Sequence, residues 1–192
     1  MQTDIMTKNL EVPSVPPNPD VLGVSPKLKP KILPLVFWPD EILHQHCKFV
    51  HEIDETLHQL IYDMAYTMYH KKGVGLAAPQ VGVSQSVIVV EIDRGIIPLI
   101  NPVILESNDL MYSFDEGCLS VPGYFEKRKR PQKVLVEYQT AGNVIAQDEF
   151  QGLAAFIVQH EIDHLCGKVF VDGISRLKQD RVKKKIKKFK GR

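Results

Sequence analysis

Cysteine is scarce in this 192-residue chain: Cys47, Cys118 and Cys166 are the whole complement. An odd number of thiols, in a chain long enough to build its own core, excludes a disulfide framework and points to a reducing compartment. Long apolar runs are missing as well. Ser86–Ile92 and Ile96–Leu105 are the longest candidates, and charge, Gly or Pro breaks both well short of the ~20 residues a bilayer span requires. The first residues carry Asp4, Glu11 and Asp20 and no apolar stretch, so no secretory signal or Arg-rich transit peptide is legible. The expectation is a cytoplasmic protein with no membrane partner. Compositional extremes are absent too: at 44% hydrophobic and 24% charged, with 12 Gly and 13 Pro, the chain reads as one ordinary globular domain.

Charge is nearly balanced, 24 Lys+Arg against 23 Asp+Glu, but unevenly spread. Ser175–Arg192 holds ten basic residues and one Asp, which leaves fourteen basic and twenty-two acidic residues for Met1–Ile174. An acidic body with a basic tail predicts a tail that seeks a polyanion.

Met1–Pro30 contains Pro13, Pro16, Pro17, Pro19, Pro26 and Pro30 without apolar periodicity, which predicts a flexible arm over residues 1–31. Ile53, Leu57, Leu60, Ile61, Met64 and Met68 recur at helical spacing and predict a helix over about Glu52–Lys71. Ser86–Ile92, Leu99–Leu105, Lys133–Tyr138 and Val144–Phe150 are rich in β-branched residues, and the last two flank a hairpin turn at Thr140–Asn143. Leu153–Leu165 is a nearly all-apolar helix that Gly167 ends. A last helix, about Ser175–Phe189, sets Leu177, Val182, Ile186 and Phe189 on one side and lysines on the other. The fold class is α+β: antiparallel sheets around the central Leu153–Leu165 helix, with one helix in the N-terminal half and one at the C-terminus. Residues 32–174 form the body and 175–192 the basic helix.

His160-Glu161-Ile162-Asp163-His164 is an H-E-x-x-H pattern. On a helix, residues i and i+4 stack on one face, so two imidazoles can share one metal, and the Glu beside them can take a proton from water. Two histidines and an acid inside an otherwise apolar helix are costly to bury for packing alone. A catalytic site needs a third ligand and an open position. No Glu or His follows His164, which weakens the common metalloprotease arrangements. Cys166 lies about 200° round the helix from His164 and should face away as a small apolar residue. Cys118 remains, in Glu116-Gly117-Cys118-Leu119-Ser120, and a thiolate with two imidazoles suits zinc or ferrous iron. A third unusual stretch, Gly73-Val74-Gly75-Leu76-Ala77-Ala78-Pro79-Gln80, would let a peptide backbone approach closely and offers Gln80 as a neutral donor to an oxyanion.

Together these three stretches, in this order, resemble the peptide deformylases, hydrolases that remove the formyl group from the initiating methionine of new polypeptides. The resemblance runs from about Ile32 to the tail. It implies that Cys118, His160 and His164 hold one divalent metal, ferrous iron first, with zinc, nickel or cobalt as alternatives. It implies further that metal-bound water attacks the formyl carbon, with Glu161 as general base and then general acid, while Gln80 and the backbone N–H of Leu119 stabilise the oxyanion. Gly75 is expected to pair its backbone with the N-formylmethionyl peptide. Helical spacing puts Ile157 and Leu153 on the His160 face, where they are nominated for the methionine pocket. After Val121-Pro122-Gly123-Tyr124 many relatives have an Arg, and this chain has Phe125. The run Lys127-Arg128-Lys129-Arg130 is read as a solvated loop. The basic tail resembles bacterial deformylases whose C-terminal helix docks on the ribosome, so that deleting Lys178–Arg192 should abolish a salt-sensitive association and spare small-peptide turnover.

Two other classes compete with this reading. A metallopeptidase cutting internal bonds would use a third ligand other than Cys118, and a binding module with a vestigial site would bind metal without turnover.

Overall fold

A computed structural model describes residues 17–191. In chain order its elements are α1 (Pro19–Leu22), α2 (Glu55–His70), β1 (Gly75–Ala77), β2 (Val87–Ile92), β3 (Gly95–Ser107), β4 (Met111–Cys118), β5 (Val121–Pro131), β6 (Lys133–Gln139), β7 (Ile145–Gln151), α3 (Gly152–Leu165) and α4 (Arg176–Lys190). Five strands form an antiparallel sheet in the order β1-β2-β3-β6-β7, and β4 and β5 form a separate antiparallel hairpin.

The large sheet is a wall between two apolar layers. Along β2, Val87 and Val89 join the cluster under α2, while Ile88 and Val90 join the cluster under α3. Successive strand side chains point to opposite faces, so a strand buried on both must be apolar at every position. α2 starts at Glu55 because the Asp54 side chain accepts from Leu57 N at 2.8 Å, three residues later than apolar spacing suggested. Its buried Leu57, Ile61, Met64, Ala65 and Met68 follow the helical repeat.

Three expectations need correction. Residues 1–16 of the predicted arm lie outside the described residues, but 17–31 is packed: Leu22 is 1% exposed and Val24 5%, both in the α2 cluster. The helix that carries Leu22 is a single turn, opened by the Asn18 cap on Asp20 N, too short for apolar periodicity to reveal. The Lys127–Arg130 run is not a loop. It lies in β5, where Arg128 and Arg130 project to one side and Lys127 and Lys129 to the other, so charge on both faces hid the strand. On α4, Val182 (0% exposed) and Ile186 (4%) pack against Trp38, Val121 and Phe170, whereas Leu177 is 65% exposed. Leu177 precedes Val182 by five residues and so sits about 140° away from it round the helix. With that packed face, α4 is part of a core rather than an appendage whose removal leaves the body untouched.

Candidate metal centre

α3 is buried along most of its length, and it brings His160 and His164 to one face with ring centroids 4.8 Å apart and planes nearly perpendicular. Cys118, at the end of β4, approaches from the other side, its Sγ 3.2 Å from His164 Nε2. One ligand atom from each of the three residues lies within 4.8 Å of the others. This is a thiolate and two imidazoles converging on one point, a donor set that suits a divalent transition metal.

A second layer fixes that geometry. His160 Nδ1 donates to Glu116 Oε1 at 2.6 Å, which leaves its Nε2 for the cluster. Arg130 donates to both oxygens of Glu116, at 2.8 and 3.1 Å, and to Asp163 Oδ2 at 2.7 Å. Burial pushes the Glu116 carboxyl up, but the His160 hydrogen bond and the Arg130 guanidinium outweigh it and hold its pKa at about 2. Burial also disfavours charge on His160, yet its contacts with Cys118 and Glu116 push its pKa well above the usual imidazole value. Burial holds His164 well below that value, and the neighbouring charge on His160 adds to the effect. The pocket thus favours one cation between Cys118 and Glu116, and a bound metal meets that demand.

Glu161 is the group left over. It is 3% exposed, its Oε2 has no hydrogen-bond partner, and burial chiefly pushes its pKa up to about 7. It lies flat on Gly75 of β1: a Cβ there would sit 2.3 Å from Glu161 Oε1. Gln80, 1% exposed, accepts from Ala77 N at 2.7 Å through Oε1 and directs Nε2 to Cys118 Sγ at 3.2 Å and Ser120 Oγ at 3.3 Å. Leu119 follows Cys118 in the tight turn to β5 and packs on Gly73. A short strap holds both loops, because Val36 N donates to Gln80 O at 2.8 Å and Trp38 N to Ser120 O at 3.0 Å.

Ile157 is 2% exposed and Leu153 half-buried, and both belong to the apolar cluster that includes Val74. Sequence reasoning missed the aromatic side of this wall. Phe114 meets Phe156 edge to face at 4.8 Å, and Arg130 lies over the Phe156 ring at 5.3 Å. Glu116, Arg130 and Asp163 were missed as a unit too. Glu116 sits two residues before Cys118, and that spacing was the one signal available for it.

Residues 32–180 match the family described as polypeptide deformylase. The chain belongs to that family. It is 41% identical over 161 residues to peptide deformylase 1 of Burkholderia multivorans, covering 82% of this chain and 89% of the relative. Among solved structures, a peptide deformylase from Legionella pneumophila superposes with TM-score 0.79 at 42% identity, covering 83% of this chain and 96% of that one. A peptide deformylase from Ehrlichia chaffeensis, solved with actinonin, gives TM-score 0.79 at 37% identity over 82% of this chain and 96% of its own. This deformylase is therefore a hydrolase that takes the formyl group from the N-terminal methionine of nascent polypeptides, and its family is one of metalloenzymes. Neither the internal metallopeptidase nor the binding module survives that finding. Among the described residues no helix is long and apolar enough to cross a membrane.

Proposed function

We propose that Cys118, His160 and His164 hold one divalent metal, ferrous iron in the cell with zinc, nickel or cobalt able to replace it, and that deformylation runs on the groups around it. The convergence of the three donor atoms within 4.8 Å carries this reading. A metal held there supplies a Lewis acid and brings the ionisation of water into the neutral range. Glu161 then takes a proton from water and returns it to the leaving amine as formate departs; burial, which pushes its pKa up, suits it to hold the proton between the two transfers. Gln80 Nε2 and the backbone N–H of Leu119 donate to the oxygen that becomes negative.

β1 is an edge strand of the large sheet and β4 pairs only with β5. A substrate laid extended along Gly75 would add a strand there, as edge strands allow. Its methionine side chain would enter the apolar wall of Leu153, Ile157, Phe114 and Phe156. On α4, Lys184, Lys187 and Lys188 are exposed opposite Val182 and Ile186, which supports docking on ribosomal RNA phosphates in the cytoplasm.

The test is formate release from a formyl-methionyl tripeptide by protein purified without oxygen, with metal measured per chain. Cys118→Ser should lose both metal and turnover. Retention of both would overturn the ligand assignment.

A further inference from the structure

Gly117 is buried although it has no side chain, and what covers it is the ring of Phe125. A Cβ on Gly117 would stand 2.4 and 2.8 Å from two ring carbons, so the ring lies directly against the β4 backbone one residue before Cys118. Alternation fixes which side of the hairpin this is. Phe114 and Glu116 turn toward α3, to Phe156 and His160, and on β5 Tyr124, Glu126 and Arg130 share that side through Phe170, Lys178 and Glu116. Gly117 and Phe125 therefore belong to the opposite side, with Lys127 and Lys129 further along β5. Phe125 itself is only half-buried, which leaves part of its ring to solvent.

An extended peptide obeys the same alternation. If it runs between β1 and β4 and its methionine enters the wall on the α3 side, its next side chain points to the side of Gly117 and Phe125. We infer that Phe125 sets the preference for the residue that follows formyl-methionine: its ring on bare Gly117 is an apolar platform that favours aromatic and large aliphatic side chains over alanine. The inference rests on the extended binding mode proposed above. Gly117 has to lack a side chain for the ring to settle, so the two positions act as one device.

The experiment compares kcat/KM for formyl-Met-Phe-Ser, formyl-Met-Leu-Ser, formyl-Met-Ala-Ser and formyl-Met-Asp-Ser in the wild type and in Phe125→Ala. Calorimetric binding of the products Met-Phe-Ser and Met-Ala-Ser to the metal-loaded enzyme gives a readout free of chemistry. The wild type is expected to favour Phe over Ala about fivefold, the worth of partial burial of a ring, and Phe125→Ala to bring the ratio close to one in both measurements. Phe125→Leu, which still covers Gly117, should shift the preference from Phe toward Leu and keeps the test open should the alanine variant fold poorly. An unchanged Phe-to-Ala ratio in the variants overturns the inference. So does an equal loss on all four peptides, which would make Phe125 a support for Gly117 alone. Failure of the wild type to hydrolyse any of the four would instead bring down the substrate reading and this inference together.

Discussion

α3 and α4 are of nearly equal length, yet α3 buries nine of its fourteen residues and α4 two of its fifteen, Val182 and Ile186. The difference lies in what each does with its polar groups. α3 takes two imidazoles and a carboxylate out of water, and the strands around it must answer with Glu116, Arg130 and Cys118. α4 leaves most of its charge in solvent, where Lys178 pairs with Glu126 and Lys183 and Lys190 lie over Trp38 and Phe37. A helix that buries its polar groups is over-determined from outside, and one that leaves its charge in solvent is held by a single narrow stripe.

That contrast can be broken at several points. The largest effect belongs to Glu161→Gln, which keeps the packing on Gly75 but removes the proposed proton carrier: turnover should fall ~10³-fold in single-turnover assays while metal content stays at the wild-type level. Arg130→Ala takes the guanidinium from the buried carboxylate of Glu116, leaving it His160 alone, and should destabilise the fold by about 3 kcal/mol in urea titrations. The same variant should weaken metal binding by about 10–100-fold through His160. Val182→Ala, on the packed face of α4, should cost about 2 kcal/mol from lost apolar burial. Reversing Lys184, Lys187 and Lys188 to Glu together should change stability by no more than about 1.5 kcal/mol, yet remove ribosome association measured by sedimentation at low salt.

The smallest effect lies at the C-terminal end of α3. Cys47 N donates to Leu165 O there, and burial first, then Cys166, pushes the Cys47 thiol up to about 11. Only a group above its pKa is a thiolate, so Cys47 should react with iodoacetamide at pH 8 far more slowly than an ordinary thiol, and labelling should rise steadily toward pH 11.

The comparison also explains what was legible in the sequence. α2, α3 and β2 announce themselves through a regular apolar repeat, and the His160–His164 spacing is a property of one helix. Cys118 could be reached by eliminating other ligands. The Glu116–Arg130–Asp163 network could not, because its members come from two strands and a helix and meet only after the β4–β5 hairpin has closed. That hairpin was itself obscured, since Arg128 and Arg130 on one side and Lys127 and Lys129 on the other leave no apolar alternation to read. Burial of Leu22 and Val24 escaped for the opposite reason: the segment is too short to show any period.

The strap at Val36–Trp38 has a practical consequence. Its backbone ties Gln80 to Ser120, while Phe189 and Lys190 of α4 rest on Phe37, the ring centroids of the two phenylalanines being 5.6 Å apart. Immobilising the enzyme on a sensor surface through the end of α4 would load that strap and, through it, the loops of Gln80 and Ser120. Attachment through the exposed β6–β7 turn at Gly142–Val144 would leave the strap slack, and kinetics recorded that way would be those of the free molecule.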